Sequence, residues 1–161
     1  MIPQRLMTER SSSLPPGLVL RRASAKDIWS IRKLVLSEKL DPTQVRWQQF
    51  WVIASEAHMV ACGQLRNFTG AQELSSLVVV PAWRKRGLGT FLAKHLIQEA
   101  TLPLYLECLG QELAMFYTHL GFVPVSWQDL PQSLKFKFGL TKVGKLLRIP
   151  VVIMQYQRLP R

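Results

Sequence analysis

Apolar and polar positions along this chain follow two rhythms, and the changes between them mark out the elements. Residues 18–22, Leu18-Val19-Leu20-Arg21-Arg22, read as a first strand. Ser24 and Asp27 then open a helix whose Ile28, Ile31, Leu34 and Val35 fall on one stripe. That helix is expected to fade at Leu40-Asp41-Pro42, because proline has no amide with which to continue it. Residues 50–54 and 59–65 read as strands joined by a tight turn at 55–58. A second turn at 67–70 leads into a strand over 73–80. Leu88, Phe91, Leu92, His95 and Leu96 make the stripe of a further helix. Residues 104–108 read as a buried strand and 112–120 as a short helix ended by Gly121. Strands over 122–127 and 151–156 follow, the last closing the sheet. Residues 133–147 stay ambiguous, because Gly139 and Gly144 weaken a helix there.

The sharpest change of rhythm comes where the apolar run Leu77-Val78-Val79-Val80 meets Pro81. A basic, glycine-spaced turn, Arg84-Lys85-Arg86-Gly87-Leu88-Gly89-Thr90, leads from there into the helix. Outward-pointing amides beside the positive end of a helix dipole form an anion site before any side chain is counted. Gly87 and Gly89 carry no Cβ to hold a ligand off the backbone. Arg84, Lys85 and Arg86 add positive charge, and a pyrophosphate suits such a turn. The alternative is an ordinary strand-to-helix turn with solvated basic residues. The spacing is neither a Walker A loop nor the dinucleotide glycine pattern.

Arg84-x-x-Gly87-x-Gly89 resembles the (Gln/Arg)-x-x-Gly-x-(Gly/Ala) signature of the GNAT superfamily of N-acetyltransferases. Ala114-Met115-Phe116-Tyr117-Thr118-His119-Leu120-Gly121-Phe122 resembles that superfamily's Ala-x-x-Phe/Leu-Tyr-x-x-x-Gly-Phe helix motif. The two motifs stand in family order, and the resemblance extends over residues 18–157. It implies an α/β (α+β, mixed-sheet) fold with a central, mostly antiparallel sheet, a splayed strand pair and flanking helices. It also implies acetyl-CoA as co-substrate and an acyltransferase that moves the acetyl group to a primary amine by direct attack in a ternary complex. The cofactor would meet backbone at Val79 and Val80 and the turn from Arg84, Lys85 and Arg86 through Gly87, Leu88, Gly89 and Thr90. Tyr117 occupies the general-acid position, with simple aromatic packing as the alternative. Glu73 occupies the position of a catalytic glutamate found in several members. Here the alternatives are an exposed strand-start residue, or a water relay as the base. Gln111 stands where the family often has an asparagine on the pantetheine, and its extra methylene moves the amide outward.

Composition narrows the rest. The 161 residues are 48% hydrophobic, which suits one core. A single domain over 18–161 is expected, preceded by a mobile basic tail over 1–17 that lacks the apolar centre of a secretion signal. No apolar stretch approaches the roughly 20 residues of a membrane-spanning helix. Cys62 and Cys108 read as buried free thiols, and with no disulfide framework a cytoplasmic location is expected. His58, His95 and His119 show no metal-ligand spacing, so no metal is expected. His95, on its helical stripe, reads as a core-edge residue.

The net charge of +11 attracts anions without choosing among them, and no nucleic-acid motif accompanies it. From Pro131 onward the charged residues are Lys135, Lys137, Lys142, Lys145, Arg148, Arg158 and Arg161, with no acid. The segment 135–148 reads either as a lid selecting an acidic acceptor or as a contact for an anionic surface. Trp47, Trp51 and Trp127 read as core or as the lining of an acceptor slot. The acceptor, a small-molecule amine or a protein amine, has no signature. A homodimer through the last strand is a further expectation. The other class of function is a non-catalytic module that binds acetyl-CoA or a polyanion.

Overall fold

A computed structural model describes residues 13–40, 45–139 and 151–158. Seven strands form one sheet: β1 (Val19–Arg22), β2 (Phe50–Ala54), β3 (Met59–Phe68), β4 (Ala71–Val79), β5 (Leu104–Leu109), β6 (Phe122–Pro124) and β7 (Val151–Tyr156). Their order is β1-β2-β3-β4-β5-β7-β6. All neighbours are antiparallel except β4 and β5, which run parallel. Among the described residues, four helices flank the sheet: α1 (Ile28–Ser37), α2 (Leu88–Glu99), α3 (Gln111–His119) and α4 (Gln132–Gly139).

The parallel pair positions everything that follows. β4 and β5 pair only at Gln72 with Leu104 and Glu73 with Tyr105. Beyond Glu73 the strands splay apart, and a slot opens between them. On the other side of β4, Cys62 faces Val78 but Gln64 faces Ser75, so β4 carries one extra residue. Ser76 takes it up with a φ of 52°. A bulge reverses the alternation of a strand. Leu74 before it and Leu77 and Val79 after it all pack on the α2 side. Ala71 before it packs with α4, and Val78 after it packs with α1.

Each sheet face therefore carries two helices. One core holds α2 and α3 against the sheet through Leu88, Leu92, Leu96, Ala114 and Tyr117. On the opposite face, α1 buries Ile31, Leu34 and Val35, and α4 buries Leu134 and Phe138. Full burial of such side chains contributes about 1.5–3 kcal/mol each. Gly63 lets α2 come close: a Cβ there would meet Leu96 Cδ1 at 2.8 Å and Leu77 Cδ1 at 3.1 Å. α1 is entered through a cap, in which the Asp27 carboxylate takes the Ser24 amide at 2.7 Å and Arg21 Nη1 at 2.7 Å.

Four details differ from the sequence reading. The turn expected over 67–70 shrinks to two residues, because Asn67 pairs with Gln72 and Phe68 with Ala71. The two amide side chains of the first of these pairs bond each other, Gln72 Nε2 donating to Asn67 Oδ1 at 2.7 Å. β6 stops at Pro124, and a 3-10 turn, Trp127–Asp129, follows it. β7 does not close the sheet at an edge. It lies between β5 and β6, with both sides hydrogen-bonded. The ambiguous segment is helical over Gln132–Gly139, and its residues 140–147 lie outside the described residues. So do residues 1–12 of the expected tail, whereas Leu14 packs against the core.

Candidate active site

The basic turn has the backbone that the glycine spacing requires. Lys85 (φ 62°) and Gly87 (φ 79°) are left-handed, an alternation that turns successive amides toward one concavity. The first helical bond of α2 runs from the Phe91 amide to the Gly87 carbonyl at 3.0 Å. The amides of Leu88, Gly89 and Thr90 thus have no helical acceptor and point out of the helix N-terminus. Leu88 buries its side chain and anchors the turn, while Arg84, Lys85, Arg86 and Gly87 are exposed. Arg86 lies over the Trp83 ring, 4.7 Å from its centroid. Arg84 is drawn back toward the slot: its Nε donates to the Val79 carbonyl at 3.1 Å, and its Nη2 pairs with Glu38 just past α1.

Along β4 the bulge decides which amides are open. The Val80 amide donates to the Val60 carbonyl at 2.8 Å, and the Val80 carbonyl accepts from Trp83 at 2.8 Å. Both backbone groups of Val80 are therefore used within the protein. Val78 faces Cys62 in the same register, so the alternation leaves the amides of Val79 and Leu77 on the splayed edge. Leu77 was not singled out from the sequence, because its role follows from the bulge at Ser76. Two amides aimed into a slot can hold an amide-rich chain and polarise a carbonyl. The turn, the slot and α3 meet at one point: a Cβ on Gly89 would lie 3.6 Å from Val79 Cγ2 and 3.9 Å from Phe116 Cζ.

Tyr117 and Glu73 lie on opposite faces of the sheet. Tyr117, on α3, is 7% exposed within the α2–α3 core, between the rings of Phe116 (5.0 Å) and Phe122 (5.7 Å). Burial, with a smaller contribution from Cys108, pushes its phenol well above the usual range. It remains a protonated donor through neutral pH. Glu73, 2% exposed, is the last β4 residue paired to β5. Its Oε1 is bonded by Lys137 Nζ of α4, and its Oε2 lies 3.6 Å from Arg66 Nη1. That Oε2 is buried without a hydrogen bond. Gln111 opens α3 and is exposed.

Polar groups cluster on the Glu73 side. Gln64, 1% exposed, donates through Nε2 to Gln49 Oε1 at 2.9 Å and accepts from Ser75 Oγ at 3.4 Å. Arg66, Lys137 and Gln64 were not named from the sequence as site residues. Gln64 offered a signal, a polar residue at an inward position of an apolar strand. The tryptophans divide: Trp47 and Trp127 pack on this face, and Trp51 packs on the other. His95 lies edge-on to Trp51 at 4.2 Å and is away from the slot. An open cavity of about 350 Å³ beside Ile97, Thr101 and Arg158 contains none of these site residues.

Residues 46–124 match the model of the acetyltransferase (GNAT) domain family. An amino-acid acetyltransferase of Shewanella oneidensis is 27% identical over 143 residues, covering 81% of this chain and 32% of that relative. The chain therefore spans about a third of the length of the curated relative it matches. Among solved structures, N-acetylglutamate synthase from Neisseria gonorrhoeae, complexed with coenzyme A and N-acetyl-glutamate, superposes with a TM-score of 0.69 at 18% identity. That match covers 91% of this chain and 37% of the synthase. Rv2747 from Mycobacterium tuberculosis, solved with CoA, has a TM-score of 0.69 at 22% identity, over 88% of this chain and 99% of that one. The splayed mixed sheet with flanking helices is the fold these proteins share.

Proposed function

Since this chain belongs through residues 46–124 to the acetyltransferase (GNAT) family, we propose that it is an N-acetyltransferase using acetyl-CoA. The observation that carries this reading is the continuity of donor groups. The free amides of Leu88, Gly89 and Thr90 lead past Gly89 to the open amides of Val79 and Leu77. The first set suits a pyrophosphate, and the second suits the pantetheine and the thioester carbonyl. An amine entering from the Glu73 face attacks that carbonyl. The thiolate then leaves toward Tyr117. A buried phenol with a raised pKa serves better as a hydrogen-bond donor to the thiolate than as a full proton donor. Glu73 takes the amine proton directly or through water.

The acceptor we favour is a free amino acid or a similar small amine. Two relatives support this by name, an amino-acid acetyltransferase and N-acetylglutamate synthase. The polar lining of buried Gln64 with half-buried Gln49, Ser75 and Arg66 also suits a small polar molecule. The other class is a binding module for polyanions, favoured only by the net charge of +11.

Melting with and without saturating acetyl-CoA tests the donor site, with adenosine 3′,5′-bisphosphate as the charge control. Ligand at about a hundred times its Kd stabilises by roughly 2.7 kcal/mol, a rise of a few degrees. An equal rise with the bisphosphate would reduce the slot to a charge effect, and no rise would remove the donor site. A panel of amino acids and other amines follows, with Tyr117→Phe as the blank. That variant is expected to lose about a hundredfold in kcat while keeping its acetyl-CoA shift.

A further inference from the structure

We infer that Lys137 is itself an acceptor: the protein acetylates this lysine on α4. The inference rests on the N-acetyltransferase reading above and extends it to a covalent modification site within the chain. Among the described lysines, Lys137 is the one whose ammonium pairs with a carboxylate, and that carboxylate belongs to Glu73. A primary amine thus already stands against the residue proposed to take the amine's proton. It stands on the face of the sheet from which an acceptor would enter.

The reach is short. Glu73 precedes Leu77 by four residues. At about 3.3 Å per residue, less the shortening at the bulge, their backbones lie on the order of 10 Å apart. The Glu73 side chain covers part of that distance, and a swing of the flexible four-carbon lysine stem covers the rest. Lys137 is also partly open, its side chain 22% exposed, so it has room to move. Lys135, on the same helix, donates instead to the Gln128 carbonyl at 3.3 Å, and so makes an internal control.

The chemistry balances without another reactant. The Lys137 ammonium gives one proton to Glu73 or to water, and its nitrogen attacks the thioester carbonyl carbon. The new C–N bond forms, the C–S bond breaks, and CoA leaves as a thiolate that takes up the second proton lost by the nitrogen to become the thiol. The product is the acetamide of Lys137 plus CoA. Loss of the charge leaves Arg66, at 3.6 Å, as the described cation beside Glu73 and removes the ion pair between α4 and β4. Self-acetylation would therefore loosen α4 over the acceptor face.

The test is incubation of the full chain with acetyl-CoA and no added amine, followed by peptide mass spectrometry over time. Lys137 should gain one acetyl group at least about tenfold faster than Lys135, as expected for a positioned amine. The rate constant should not depend on protein concentration. Lys137→Arg keeps the cation and the fold but should abolish the fast phase. A Lys137 that stays unmodified in protein whose melting temperature rises with acetyl-CoA would sink this inference and leave the enzyme reading intact. So would equal rates at Lys135 and Lys137. No melting shift at all would overturn the donor site, and this inference with it.

Discussion

Arg84 is proposed for the anion site, and it is also tied into the protein's own electrostatics. Its guanidinium is held by the Val79 carbonyl and by Glu38, so an incoming pyrophosphate competes with a carboxylate already in place. Glu38→Gln removes that competitor. We expect it to tighten acetyl-CoA binding by a few-fold, about 1 kcal/mol or less for so exposed a pair. Isothermal titration is the check, and unchanged or weaker binding would mean that Arg84 does not meet the phosphates. The charged turn was legible in the sequence because all its residues are neighbours in the chain. The Glu38 contact was not, since it joins residues 46 positions apart. Tyr117 follows the same rule: its place in a helix motif could be read locally, but the burial that keeps its phenol protonated could not.

Among the elements, α1 depends on its entry and β4 on its irregularity. Asp27 serves the entry to α1 twice, taking the Ser24 amide and pairing with Arg21. Asp27→Ala should cost about 1–2 kcal/mol of stability, as loss of a helix cap does, and a urea titration would measure it. A loss near zero would show that the cap is replaced by water. The Ser-x-x-Asp pattern announced this helix in advance. In β4 the reverse holds. Ser75 and Ser76 carry no bulge signature, yet the extra residue selects Leu77 and Val79 over Val80 as open donors. It also keeps both halves of the strand packed against α2. A bulge is set by what the neighbouring strand and helices accept, and a one-residue window contains none of that.

For the molecule as a whole, buried titratable groups shape the stability profile with pH. Arg21, first among several causes, holds the Asp27 carboxyl at about 2 against an ordinary 3.8, and burial lowers His95 below 6.5. Both are depressed. Their contributions are present above the unfolded values and are lost as pH falls, from about 6.5 for His95 and from about 4 toward 2 for Asp27. Burial pushes the Cys62 thiol from 9.0 to about 12 and also raises Cys108, Tyr105 and Tyr117. These groups are raised, so their contributions are complete below the unfolded values and fade as pH climbs through the folded ones. Urea midpoints should therefore fall more steeply above pH 9 than below pH 6, and Cys62→Ala should flatten the alkaline side. An alkaline side unchanged in that variant would show that Cys62 is not the group responsible. By itself the sequence determined most of the strands and helices, the glycine-spaced basic turn, the helix motif around Tyr117 and the family they resemble. Each of these is written in neighbouring residues, through periodicity, caps and glycine spacing. Only the tertiary structure decided that β7 inserts between β5 and β6, that Leu77 opens into the slot, and that Lys137 and Arg66 close on Glu73. Those contacts join residues far apart in sequence, and packing the whole sheet selects them.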